Sequence, residues 1–164
     1  MVTGDRAIPG PILVQTRIRP MVREDLDQVL AIERQSFPYP WNRAFFEEEL
    51  VENGRTTCLV SVYQGKVVGY YTAWHVAGES SLNKIGVDPD FRGQGIGSRL
   101  VEDFLASSFG RGSEDCFLEV AVNNGPALAL YEKFGFEKVG VRRNYYAQTG
   151  MDAYVMRKKR KEEI

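Results

Sequence analysis

Apolar positions along the chain change their spacing several times, and each change marks an element. Thr16–Arg19 alternates toward a short first strand, ended by Pro20. Across Val22–Ser36 the spacing becomes helical, with Leu26, Val29, Leu30 and then Phe37 recurring at intervals of three, four and seven. Phe37–Asn42 (FPYPWN) predicts a loop, because Pro38 and Pro40 block helix continuation. Asn42 is placed to cap a second helix running through Leu50, with Phe45, Phe46 and Leu50 turned inward. A strand-rich stretch follows: Thr57–Tyr63 and Lys66–Val76 flank a Gln64-Gly65 hairpin break, and Ser80–Val87 is a further strand. Gly95–Ser108 carries a helical stripe of Ile96, Leu100, Val101, Phe104 and Leu105. Cys116–Val122 reads as an apolar strand, and Pro126–Phe134 as a short helix that starts on proline and leaves through Gly135. Val139–Tyr146 and Met151–Arg157 close the chain as a strand pair. The predicted order is β-α-α-β-β-β-α-β-α-β-β, an α/β chain with a mixed sheet.

With 164 residues and 43% hydrophobic content, the chain suits one domain with a single core. Residues 1–14, with Gly4, Pro9, Gly10 and Pro11, read as a loose arm, residues 15–158 as the folded domain, and 159–164 as a charged tail. A formal net charge of −1 gives no global pull toward nucleic acid. The basic run Arg157–Lys161 is offset by Glu162 and Glu163 and reads as solvated. Cys58 and Cys116 each sit in an apolar run and read as buried free thiols, although spacing alone leaves a disulfide open. His75 is the sole histidine, so no metal site is expected. No stretch reaches the roughly 20 apolar residues of a membrane span. The first residues lack the basic-then-apolar order of a signal peptide, so the cytoplasm is the expected compartment.

The strongest chemical signal is Ser81–Val101. A strand leads into the Asp88-Pro89-Asp90 turn, and Arg92-Gly93-Gln94-Gly95-Ile96-Gly97-Ser98 then opens a helix. The amides that head a helix carry partial positive charge, and glycines let that backbone approach an anion closely. Arg92 adds a cation. A glycine-rich turn needed only for packing is the plain alternative. A Rossmann site gains apparent support from Glu119, but the spacing is GxGxG, and Asp88–Arg92 separates the strand from the first glycine. No Gly-Lys-Ser/Thr follows, which excludes a P-loop.

In order along the chain, these motifs resemble the GNAT acetyltransferase superfamily. Arg92, Gly95 and Gly97 meet its Arg/Gln-x-x-Gly-x-Gly/Ala cofactor motif, and Leu118–Phe136 (LEVAVNNGPALALYEKFGF) resembles its next element. Val141–Met156 and the FPYPW loop are similar to RimI-type ribosomal-protein and archaeal and eukaryotic N-terminal acetyltransferases. The likeness covers roughly Thr16 to Lys158. It implies a sheet splayed between the strand ending at Val87 and Cys116–Val122. It also implies acetyl-CoA as cosubstrate, its pyrophosphate on Arg92, Gly93, Gln94, Gly95, Ile96, Gly97 and Ser98, and its pantetheine arm on the backbone of Ile85, Gly86 and Val87. Asn124 would touch the cofactor. One departure bears on substrate preference: Ala121 stands where such proteins often have arginine, and Asn123 where serine is frequent.

Amine acetylation needs a neutral amine, a polarised thioester and a proton for the departing thiolate. Glu119 is the candidate base, directly or through water, and Tyr131 the candidate acid. Their plain alternatives are an ion-paired or solvent-facing glutamate and a core tyrosine. The Val87 amide is a candidate oxyanion donor. Phe37, Pro38, Tyr39, Tyr145 and Tyr146 are candidate walls for an extended peptide, or a hydrophobic plug in the case of the first three. Arg142 and Arg143 are candidates for holding an acidic substrate segment, or a solvated strand edge.

Three functions fit. The leading one is N-terminal protein acetylation by direct attack, on protein or peptide N-termini that include ribosomal or nascent chains, with an auxiliary subunit left open. The second is acetylation of a small amine or a lysine side chain. The third, of another class, is a non-catalytic acetyl-CoA-binding scaffold, against which the joint presence of Glu119 and Tyr131 argues.

Overall fold

The computed structural model describes residues 11–161. Helix α1 (Pro11–Val14) is followed by strand β1 (Arg17–Pro20), helix α2 (Leu26–Ser36) and helix α3 (Arg43–Glu49). Strands β2 (Thr56–Tyr63), β3 (Lys66–Val76) and β4 (Glu79–Val87) come next, then helix α4 (Ile96–Gly110) and strand β5 (Asp115–Ala121). Helix α5 (Gly125–Lys133) precedes the closing strands β6 (Glu137–Tyr146) and β7 (Met151–Lys159). The seven strands lie in the order β1-β2-β3-β4-β5-β7-β6. β4 and β5 pair in parallel, while β1–β2, β5–β7 and β6–β7 are antiparallel. The expected mixed α/β sheet is therefore present.

Local chemistry accounts for the turns. Gln64-Gly65 and Ala77-Gly78 link β2 to β3 and β3 to β4, all four residues at positive φ (49°, 78°, 51° and 82°). That pair of left-handed residues matches the twist of a two-residue hairpin. Asn42 caps α3 by accepting from the Phe45 amide at 3.0 Å, and Asn124 caps α5 by accepting from the Ala127 amide at 3.2 Å.

The chain divides into two compact units, one formed by residues up to Thr72 with Lys84–Leu100, the other by Ala73–Asn83 with the chain from Val101 onward. The core of the first gathers Met21, Leu26, Val29, Leu30, Ile32, Phe46, Val60, Val67 and Tyr70. In the second, Phe104, Cys116, Leu118, Val120, Tyr131, Phe136, Ala153 and Met156 are buried.

One expectation is corrected, and two segments carry structure that their composition did not indicate. Phe45 does not face inward: it is 52% exposed and stacks on Trp41 at 5.4 Å, whereas Phe46 enters the core. In a helix of two turns, adjacent residues point about 100° apart, and one of them must leave the core. Of the arm, residues 1–10 lie outside the described residues, but Pro11–Val14 forms a helical turn. The Arg99 guanidinium holds it by donating to the Leu13 carbonyl at 2.9 Å. The basic run is not a free tail either. Arg157, Lys158 and Lys159 pair with Phe117, Cys116 and Asp115 in the β5–β7 ladder. Arg160 donates to the Ser113 carbonyl at 3.2 Å and also to that of Phe109. Strand pairing and unfilled carbonyls at the end of α4 hold these residues more firmly than their charge pattern suggests.

Both cysteines are free thiols. Cys116 is buried and Cys58 partly so; burial raises the first to about 11 and the second to about 12.

Candidate functional site

The first unit carries the glycine turn expected to receive an anion. Gly93 and Gly95 stand at φ +78° and +86°, directly before α4 begins at Ile96. Only glycine takes such angles without strain. A Cβ on Gly93 would meet no heavy atom within 4 Å, so the backbone is open there. One on Gly95 would come within 3.0 Å of Leu13. The amides of the first helical turn have no intrahelical acceptor and carry partial positive charge. Open glycine backbone leading into such a turn fits a pyrophosphate, and Arg92 through Ser98 are the residues that would hold it.

The entry to this turn is held by side-chain bonds. The Asp88 carboxylate accepts from the Asp90 amide at 2.9 Å and pairs with Lys66 at 3.3 Å. Arg92 folds back, donating to the Val87 carbonyl at 3.2 Å and to Ser36 Oγ at 3.0 Å. Both acceptors are neutral, so the charge of Arg92 is retained beside the turn.

Ile85, Gly86 and Val87 form the end of β4. The parallel pairing of β4 with β5 runs from Glu79↔Asp115 to Leu82↔Leu118. Ile85–Val87 of β4 and Glu119–Ala121 of β5 lie outside that register. Gly86 has a packing reason of its own, since a Cβ there would come within 2.7–2.9 Å of the Tyr70 ring.

Below β4 lies a buried polar cluster that sequence reasoning missed. The Glu33 side chain is fully buried and meets three partners. Oε1 accepts from the Tyr70 hydroxyl. Oε2 accepts from the Trp41 amide at 2.8 Å and pairs with Lys84 Nζ at 2.9 Å. The Lys84 ammonium also lies 3.5 Å from the centre of the Phe37 ring and 5.3 Å from that of Trp41. Burial lowers the pKa of Lys84, with Glu33 opposing the shift, and burial beside Glu33 raises that of Tyr70. A signal was present in the sequence: Glu33 continues the Leu26, Val29, Leu30 stripe of α2 and so belongs to its inner face. Of the loop residues predicted as walls, Phe37 is half-buried, whereas Pro38 is exposed and Tyr39 is 54% exposed.

The second unit carries the acid–base candidates. Along β5, Cys116, Leu118 and Val120 are buried, and Phe117, Glu119 and Ala121 share the other face. The Glu119 side chain, 29% exposed, accepts from Arg142 Nη1 at 3.3 Å and from the Tyr145 hydroxyl at 3.2 Å. Arg142 also stacks over the Tyr145 ring at 4.8 Å, and Tyr145 meets Tyr146 edge-on at 5.0 Å. Partial burial, with Glu119 adding to it, pushes Tyr145 up to about 12 and raises Tyr146. Tyr131 is buried on α5, its ring edge-on to Phe136 at 6.0 Å. Burial, reinforced by Tyr146, raises its pKa well above the ordinary phenol value, which keeps a proton on it. Asn124 spends its side-chain carbonyl on the cap of α5. Among the described residues, no group of three His, Cys, Asp or Glu is placed to hold a metal, and no helix is long and apolar enough to cross a membrane.

A mixed sheet with open glycine backbone at a helix start fits a protein that binds a pyrophosphate-bearing cosubstrate, and comparison with known proteins gives the class. The acetyltransferase (GNAT) family matches residues 26–136, and the chain belongs to that family. It is an acetyl-CoA-dependent N-acetyltransferase. It is 38% identical over 144 residues to the N-alpha-acetyltransferase RimI of Mycobacterium tuberculosis, covering 84% of this chain and 89% of that one. Over 134 residues it is 34% identical to the [ribosomal protein bS18]-alanine N-acetyltransferase of Escherichia coli, covering 80% and 89% of the two chains. The crystal structure of the ribosomal-protein-S18-alanine N-acetyltransferase from Escherichia coli superposes with a TM-score of 0.82 at 30% identity, covering 91% of this chain and 96% of that one.

Proposed function

We propose that this chain acetylates the α-amino group of protein N-termini, with Glu119 as base and Tyr131 as acid. The observation that carries the reading is the Glu119 carboxylate held jointly by Arg142 and Tyr145, a half-open acceptor flanked by aromatic rings. Such a group suits an incoming ammonium better than a sealed core does.

The α-amine, with a pKa of about 8, loses its proton readily near neutral pH. The nitrogen of the neutral amine bonds to the acetyl carbon, and Glu119, directly or through one water, takes the proton that this nitrogen then carries in excess. The bond from that carbon to sulfur breaks, and Tyr131 gives its phenolic proton to the sulfur that leaves. The Val87 amide is assigned to the oxygen on which charge develops. Arg92–Ser98 hold the pyrophosphate, Ile85–Val87 the pantetheine, and Asn124 joins them. Phe37, Pro38, Tyr39, Tyr145 and Tyr146 are assigned to the peptide backbone and its first side chains. Relatives named as N-alpha and ribosomal-protein-alanine acetyltransferases support a protein substrate, met on ribosomal or nascent chains in the cytoplasm.

A peptide panel tests the reading. Free-N-terminal peptides are expected to be acetylated by the purified chain, and the same peptides with blocked N-termini but free lysines are not. Activity confined to polyamines, aminoglycosides or lysine side chains would move the chain to the second class. Tight acetyl-CoA binding without turnover on any amine would favour the scaffold. Turnover by the chain alone also decides whether an auxiliary subunit is needed.

A further inference from the structure

We infer that Glu33 and Lys84 are positioning residues, a buried ion pair that holds the Phe37–Trp41 loop at a set distance from the Ile85–Val87 backbone. The inference rests on the reading that this loop receives the peptide. Every contact lies within one unit of the fold. Glu33 projects from α2, accepts from Trp41 at the far end of the loop, and pairs with Lys84, which directly precedes Ile85 on β4. The same carboxylate accepts from Tyr70 on β3, whose ring forbids a side chain at Gly86. One carboxylate thus ties the far end of the loop to two strands, and the ammonium paired with it meets the near end.

The cost of this arrangement argues for a purpose. Removing two charges from water is expensive, and a buried pair is often no more stable than apolar residues of the same volume. The Lys84 side chain is 12% exposed and that of Glu33 fully buried. What an apolar pair would lack is direction. The carboxylate fixes the Trp41 amide, and the ammonium fixes the Phe37 ring from beneath at 3.5 Å. Phe37 and Trp41 frame the two prolines, so anchoring both sets the path of Pro38, Tyr39 and Pro40.

The decisive variant is the double change Glu33→Gln with Lys84→Met. It removes both charges together and keeps an oxygen to accept from the Trp41 amide, while the Tyr70 hydroxyl turns to accept from the glutamine NH2, so the fold is expected to survive. Losing the desolvated cation–ring contact is expected to raise KM for peptide about tenfold. KM for acetyl-CoA stays within about twofold, since β4 is still held by its sheet neighbours. A second readout does not depend on activity. The chain has two tryptophans, Trp41 and Trp74. In a Trp74→Phe background, acrylamide quenching of Trp41 is expected to rise about twofold as the loop loosens. Phe37→Leu, which keeps the ion pair and removes only the ring, should raise quenching in the same way. Unchanged quenching in both variants, with unchanged peptide KM, overturns the inference. If the parent chain acetylates no peptide N-terminus but quenching still rises, the loop device stands and the substrate reading fails.

Discussion

Arg142 Nη1 lies 3.3 Å from Glu119 Oε1, and the Tyr145 hydroxyl lies 3.2 Å from the other oxygen of the same carboxylate. On a regular strand, residues three apart point to opposite faces. These two reach one carboxylate because the β6–β7 register shifts between Arg142 and Tyr146, with Asn144 at φ +52° inside the irregularity. A bulge of this kind re-aims a side chain. The Asn144 amide donates to Asp152 at 2.9 Å and holds the bend.

If Glu119 is the base, Glu119→Gln should lower kcat by about 10²–10³-fold while the protein stays folded. Arg142→Ala should change stability by no more than about 1 kcal/mol, because the pair is partly exposed. Single-turnover acetylation and thermal melts of both variants separate the chemical role from the structural one.

Tyr131→Phe keeps the ring packed on Phe136 and removes only the hydroxyl. A kcat reduced by about 10²-fold with little change in Tm is expected for a lost general acid. Because burial raises the phenol above its ordinary value of 10.0, the wild-type kcat should show no basic limb from this group below that pH. A limb that lies lower and vanishes in Tyr131→Phe would contradict the assignment.

Two of the glycines assigned by proposal to the cofactor should fail differently. Gly86→Ala drives a methyl into the buried Tyr70 ring, and overpacking of that kind costs about 1–3 kcal/mol, read as a lower Tm. Gly95→Ala sits at φ +86° and strains the turn, so its main effect should be weaker acetyl-CoA binding, read by calorimetry. Equal losses of both quantities in both variants would argue against the separation.

His75 offers a test by pH. Burial, aided by Arg111, lowers its pKa from 6.5 to about 4. Its Nδ1 lies 2.7 Å from Ser80 Oγ, which in turn lies 2.7 Å from Ser113 Oγ. Between those two pH values the unfolded chain binds the proton and the folded chain does not. Stability is therefore full above about 6.5 and declines as pH falls toward 4. Denaturant titrations of the wild type and His75→Asn should converge across that window, with the variant showing the shallower slope.

Local sequence determined the elements and the cradle. Helical spacing in Leu26–Leu30, the apolar run Cys116–Val122, the cap Asn42, Pro126 at a helix start and the glycines of Arg92–Ser98 are all short-range signals, and each predicts the backbone on which it stands. Tertiary structure alone decided the partners. Glu33 and Lys84 are 51 positions apart, and Glu119 and Arg142 are 23 apart, so no periodicity relates them. Their pairing depends on which strands adjoin and on one irregular register in β6, and a register slip of one residue would reverse every side chain on that strand. The strand order likewise turned the basic run at Arg157–Lys159 from an apparent tail into the paired end of β7. Residue type and spacing named the chemistry; sheet order and register determined which of those groups meet.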